Sequence, residues 1–151
     1  FLWQMGKLYA EEYSTSETAK INSVKALPFL ERMDMAYAAT DLVVARAGAI
    51  SLSELAILEK ATLLVPSPNV SEDHQTANAM ALVNKGAAQI LKDDKCEKDL
   101  ISTVLALLGK PDKLEQMRKN IKIFMLSSVI EPPHQGPCSL PFTLILEQIF
   151  R

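Results

Sequence analysis

Apolar positions follow two spacings along this chain. Runs that are apolar almost throughout, Leu42-Val43-Val44-Ala45 and Thr62-Leu63-Leu64-Val65, suit strands covered on both faces, as in a parallel sheet. With similar segments recurring at intervals of about twenty residues, they predict strands over Phe1–Gln4, Asn22–Ala26, Asp41–Arg46, Ala61–Val65 and Ala87–Leu91. The stretches between them change period. Leu30, Met33 and Tyr37 keep helical spacing, as do Leu100, Ile101, Val104, Leu107 and Leu108 in a helix stopped by Gly109-Lys110-Pro111. A further helix carries Leu114, Met117, Ile121 and Phe124 on one face. Strands alternating with helices of this length predict an α/β fold with a doubly wound parallel sheet. The folded domain is placed at 1–122. Residues 123–151 read as a divergent tail, with a short helix or strand after the proline-rich run Glu131–Cys138, which itself cannot be helical.

Composition narrows the class. The 151 residues are 48% hydrophobic and 23% charged, enough for one domain with its own core. A formal charge of −2 argues against nucleic acid as the partner. No apolar run reaches the roughly 18 residues that span a bilayer. The opening Phe1-Leu2-Trp3-Gln4 resembles the inside of a domain, so the chain is expected to be a fragment. Cys96 lies in the charged run Asp93–Lys98 and is expected to be solvated, while Cys138 lies in the tail. Neither belongs to a CxxC pair, and both read as reduced thiols.

In an open α/β sheet, ligands bind beyond the carboxyl ends of the strands. Three segments there stand out. Arg46-Ala47-Gly48-Ala49-Ile50-Ser51 follows the third strand, and the start of its helix offers free N–H groups to an anion. Ser51-x-x-Glu54 also reads as a capping box, which would satisfy those donors without a ligand. Pro66 to Asn78 follows the fourth strand. There Ser71 suits a helix cap, Glu72 and Asp73 suit the helix dipole, and His74 and Gln75 suit sugar hydroxyls. Phe29 and Leu30 follow the second strand, as an apolar slot for a base with free main-chain groups or as a hydrophobic staple. No GxGxxG or Walker loop is present, since Gly6, Gly48, Gly86, Gly109 and Gly136 are scattered.

These same residues resemble a known family. Phe29-Leu30-Glu31-Arg32-Met33-x-x-Ala36-Tyr37, Ala39-Thr40-Asp41-Leu42-Val43, Arg46-Ala47-Gly48-Ala49 with Ser51, Ser53 and Glu54, Val65-Pro66, and Asp73-His74-Gln75-x-x-Asn78-Ala79 are similar to the C-terminal domain of MurG-type transferases. The resemblance runs from about Trp3 to about Ile121. It implies the GT-B fold, with this chain an incomplete, Rossmann-like donor-binding domain lacking its first strand. The implied ligand is UDP-GlcNAc, read at its base by Phe29, Leu30 and Met33. Ile50 and Ser51 would face the diphosphate, Glu54 the ribose, and His74 and Gln75 the sugar, with Asn78 one turn further on; Arg46, Gly48 and Ala49 count among the donor-binding residues.

The implied reaction transfers GlcNAc to lipid I, giving lipid II for peptidoglycan, with no cofactor and no obligatory metal. The acceptor and the catalytic base would belong to an N-terminal domain, and peripheral contact with the inner face of the plasma membrane to the full-length protein. This chain would then bind the donor in the cytoplasm without completing catalysis alone. The alternatives are a stand-alone UDP-sugar-binding subunit, an inactive binding module, or a GT-B-like 2-epimerase. Glu59-Lys60-Ala61 replaces the family's glycine-lysine-proline entry to the next strand, which puts the preceding helix cap in question.

Overall fold

The computed structural model describes residues 1–68 and 74–130, which fall into two compact units, Phe1–Thr40 and a second that begins at Asp41. In the first, β1 (Leu2–Gln4) and β2 (Lys25–Leu27) pair in parallel, with Trp3 opposite Ala26. The second strand thus lies later than the expected Asn22–Ala26. Residues 21–23 instead make a turn closed by Val24 N–H on the Ile21 carbonyl at 2.8 Å, a conformation that Asn22 and Ser23 favour. A 3₁₀ turn (Lys7–Tyr9) and α1 (Ala10–Ser14) follow β1, and α2 (Met33–Ala38) follows β2. Tyr13 stacks on Trp3 and on Tyr9, with ring centroids 5.8 and 5.6 Å apart. Met5, Leu30 and Tyr37 are buried.

The second unit holds β3 (Val43–Ala45), β4 (Thr62–Leu64) and β5 (Gln89–Ile90), parallel and in that order across the sheet. Parallel neighbours need a crossover, and here α3 (Ala49–Ile57) and α4 (His74–Val83) provide it. β4 is the middle strand and is wholly buried, which is why its sequence is apolar at Leu63 and Leu64 alike. The α/β class and parallel strands agree with the sequence pattern, and the strands are shared between two hydrogen-bonded sheets.

Two long helices complete this unit. α5 (Cys96–Leu108) buries Cys96, Leu100, Val104 and Leu107, one helical face, and leaves Ile101 and Leu108 exposed. Cys96 is therefore not solvated as its charged neighbours suggested, because its helical phase matches Leu100 and points inward. Pro111 opens α6 (Pro111–Ile130) at the first helical position, where a missing N–H costs nothing. Leu114, Met117 and Ile121 form its buried face, packed on α3 and α5. The helix continues through the boundary expected at 122, since neither glycine nor proline interrupts it after Pro111. The proline-rich run and the remaining tail lie outside the described residues.

The same closure ends α3 and α4. Lys60 N–H donates to the Leu55 carbonyl at 3.0 Å and Glu59 N–H to Ala56 at 3.2 Å. After α4, Ala87 N–H donates to Leu82 and Gly86 N–H to Val83, both at 2.9 Å. Each pair is a Schellman motif, with Glu59 (φ 52°) and Gly86 (φ 65°) in the left-handed position. The entry to β4 is thus fully capped without glycine, although a side chain in that conformation costs about 1–2 kcal/mol. The Glu59 carboxylate meets Lys122 Nζ on α6 at 2.7 Å, an exposed pair that contributes at most about 1 kcal/mol.

Glu59→Gly is expected to raise the unfolding free energy by up to about 1 kcal/mol in urea denaturation, the relief of strain exceeding the lost ion pair. A less stable variant would show that the pair dominates. Gly86→Ala should lose roughly 1–2 kcal/mol, because its Cβ adds the left-handed penalty and would lie 2.9 Å from Asn120 Nδ2.

Candidate functional site

Because β3, β4 and β5 run in one direction, their carboxyl ends share one edge of the second unit's sheet. Arg46 follows β3, and its Nη1 forms an ion pair with Asp93, which follows β5. The same nitrogen donates to the carbonyls of Val65 and Pro66, which follow β4, at 3.3 and 3.4 Å. The guanidinium side chain is 17% exposed and Asp93 34%. One side chain thus ties together the segments leaving all three strands.

Further bonds hold the same edge. Asn78 Nδ2 donates to the carbonyl of buried Ala47 at 3.4 Å, and Ser67 N–H donates to Gln75 Oε1 at 2.9 Å. Gln75 and Asn78 therefore brace the segments that leave β4 and β3. His74 stands exposed at the head of α4. The expected cap Ser71, with Glu72 and Asp73, lies outside the described residues.

The start of α3 differs from its expected form. Gly48 is the N-cap, with φ −68° and ψ 143°, and no side chain caps the helix. Ser51 is the third helical residue, so the expected Ser51–Glu54 capping box does not form. The backbone stays extended only as far as Gly48 and then turns into the helix, placing Ser51 inside the first turn. Leu52 N–H is the first to bond back, to Gly48 at 3.0 Å, so the amides of Ala49, Ile50 and Ser51 head the helix without a capping side chain. Gly48 has an ordinary extended φ, and a Cβ there would meet nothing nearer than Ser51 Oγ at 3.9 Å. Neither backbone conformation nor packing among the described residues calls for glycine at this position. Ile50 is exposed, while Ser51 and Glu54 are half-buried. The Glu54 carboxylate has no hydrogen-bond or ion-pair partner among the described residues, and burial pushes its carboxyl above the ordinary 4.5.

In the first unit, Gln4 Oε1 accepts from Leu30 N–H at 2.8 Å, so that main-chain donor is not free as expected. Phe29 is exposed, with Lys7 Nζ 5.2 Å from its ring centroid. Arg32 is the N-cap of α2 and Met33 its first residue, so neither Phe29 nor Leu30 occupies a staple position. The sequence reading missed Asp93 and the Gln4 contact, whose partners lie 47 and 26 residues away.

Comparison with known proteins gives this parallel α/β arrangement a family. Residues 1–131 match the glycosyltransferase family 28 C-terminal domain. The chain belongs to that family. It is 46% identical over 121 residues to a Flavobacterium psychrophilum protein named UDP-N-acetylglucosamine--N-acetylmuramyl-(pentapeptide) pyrophosphoryl-undecaprenol N-acetylglucosamine transferase, covering 80% of this chain and 32% of the relative. A Cytophaga hutchinsonii protein of the same name is 46% identical over 125 residues, covering 82% and 32%. The crystal structure of Acinetobacter baumannii MurG superposes with a TM-score of 0.69 at 30% identity, covering 81% of this chain and 36% of that one. The chain spans about a third of the length of the curated relatives it matches.

The raised Glu54 carboxyl has a consequence for stability. The folded state holds this proton more tightly than the unfolded one, so Glu54 lowers stability as pH rises above 4.5. Glu54→Gln is expected to remove that decline, giving a variant at least as stable as the parent at neutral pH. Thermal melts between about pH 4 and pH 7 check it. A variant that melts lower at neutral pH would mean that the carboxylate is satisfied in the folded protein.

Proposed function

We propose that this chain binds the donor of a transferase that moves GlcNAc from UDP-GlcNAc to undecaprenyl-diphospho-MurNAc-pentapeptide, converting lipid I to lipid II in peptidoglycan synthesis. The family and the names of relatives at 46% identity support the reaction. The observation that carries the site is the start of α3, whose amides lack a capping side chain among the described residues, beside a glycine that none of those residues requires. A nine-residue helix presents partial positive charge there, suited to a diphosphate.

In this reading Ile50 and Ser51 donate to the diphosphate, and Gly48 and Ala49 let it approach the backbone. Glu54, without a partner among the described residues, accepts the ribose hydroxyls. His74, Gln75 and Asn78 serve the sugar, with Gln75 and Asn78 exchanging bonds they now make within the protein. Phe29, Leu30 and Met33 serve the base, and for Leu30 N–H this requires the base to replace Gln4 Oε1. Arg46 acts from behind the helix start.

The reaction is an inverting displacement at the anomeric carbon, in which an acceptor hydroxyl attacks as UDP departs. Charge on the departing diphosphate is met by the helix end and its donors, so no metal or other cofactor is required. The lipid acceptor, the base that takes its proton and a peripheral hold on the cytoplasmic membrane face belong to the rest of the enzyme. Among the described residues, no helix is long and apolar enough to cross a membrane.

Calorimetric titration with UDP-GlcNAc, UDP and CMP tests the site. Saturable binding that prefers uridine nucleotides is expected, and a folded chain with no binding at millimolar ligand would refute it. Gly48→Ala should cost the fold no more than about 1 kcal/mol while weakening UDP at least about tenfold. Undiminished UDP affinity would remove this position from the site.

A further inference from the structure

We propose that Asp93 is a positioning residue for the diphosphate-binding start of α3, acting through Arg46. This rests on the donor-site reading above. Arg46 stands two residues before the cap Gly48, so wherever its side chain is anchored, the start of α3 is anchored with it. Its guanidinium is mostly buried, and a buried cation without an anion either finds another or moves towards water. Asp93 supplies that anion from the segment after β5, on a different strand connection.

With the cation fixed, its bonds to the Val65 and Pro66 carbonyls set the course of the chain that leads to Ser67. Ser67 in turn binds Gln75, and Asn78 binds Ala47, between Arg46 and the cap. The loop is closed: Asp93, Arg46, the Val65–Ser67 backbone, α4, Ala47. Arg46 and α4 carry residues that the donor reading already uses, and Asp93 and the Val65–Ser67 backbone do not. Asp93 touches none of the assigned ligand positions except Arg46, so its effect must pass through that residue.

Asp93→Asn keeps the shape and removes the charge, so the start of α3 and the α4 loop lose their common anchor. UDP affinity of the 151-residue chain should fall about tenfold, the range seen for changes along coupled networks. Uridine, which lacks the diphosphate, should bind as weakly to the variant as to the parent in an NMR shift titration. A merely structural lesion would weaken both. Asp94→Asn, at an exposed neighbouring position, should match the parent for both ligands.

Unchanged or tighter UDP binding in Asp93→Asn would overturn the proposal; tighter binding would mean that Asp93 competes with the ligand for Arg46. Should Asp93→Asn not fold, Asp93→Glu retains the charge and displaces the pair. A roughly three- to fivefold loss for UDP alone is then expected, and parental affinity overturns the proposal. If the parent chain itself binds no UDP, the donor reading falls and this inference with it.

Discussion

Three parallel strands end side by side in the second unit, and one guanidinium holds the chain segments that leave them. Arg46 can be mostly buried there because an anion and two carbonyls lie close by. Asp93 balances its charge, and the Val65 and Pro66 carbonyls accept its hydrogens. Loops at the carboxyl edge of a sheet carry no ladder of their own, so their arrangement depends on bonds of this kind. The helix starts that follow, α3 after Gly48 and α4 with His74, take their places from this tie and from the two amide bonds of Gln75 and Asn78.

The opposite ends of those helices are closed by backbone hydrogen bonds. α3 and α4 each return to the sheet through a paired Schellman closure. Glycine fits that geometry at Gly86, and Glu59 adopts it at some cost. The two edges of the sheet therefore differ in kind. One uses side chains of varied chemistry and bears the candidate site, while the other uses main-chain bonds that admit substitution as far as strain allows. α6 reinforces the second edge through Asn120, which donates to the Gly86 carbonyl at 3.1 Å, and through Lys122 on Glu59.

Much of this was legible in the sequence. β3 and β4 are apolar at consecutive positions because both faces of the sheet are covered, and the stripes of α5 and α6 keep helical spacing. Errors arose where a local pattern had two physical outcomes. Ser51-x-x-Glu54 has the spacing of a capping box, yet the chain enters the helix at Gly48 and leaves Ser51 inside the first turn. Cys96 sits among charges, yet its helical phase turns it inward. Val24 and its neighbours suggested a strand that Asn22 and Ser23 delay by a turn. The contacts of Arg46 with Asp93 and of Gln4 with Leu30 join residues far apart in sequence, and no local spacing announces them. Local spacing offers candidates for a site, but not the long-range contacts that hold them.

The glycine cap of α3 has an energetic meaning beyond its geometry. The helix is set by folding, packed through Leu55 and Ala56 and bonded from Leu52 onward. An anion arriving at its first turn would meet amides that are already aligned. The entropy of ordering those groups has been lost during folding, so it does not count against association. Selectivity at such an end would then reside in the shape of the opening and in the groups around it, while the helix itself would offer charge complementarity that folding has already set.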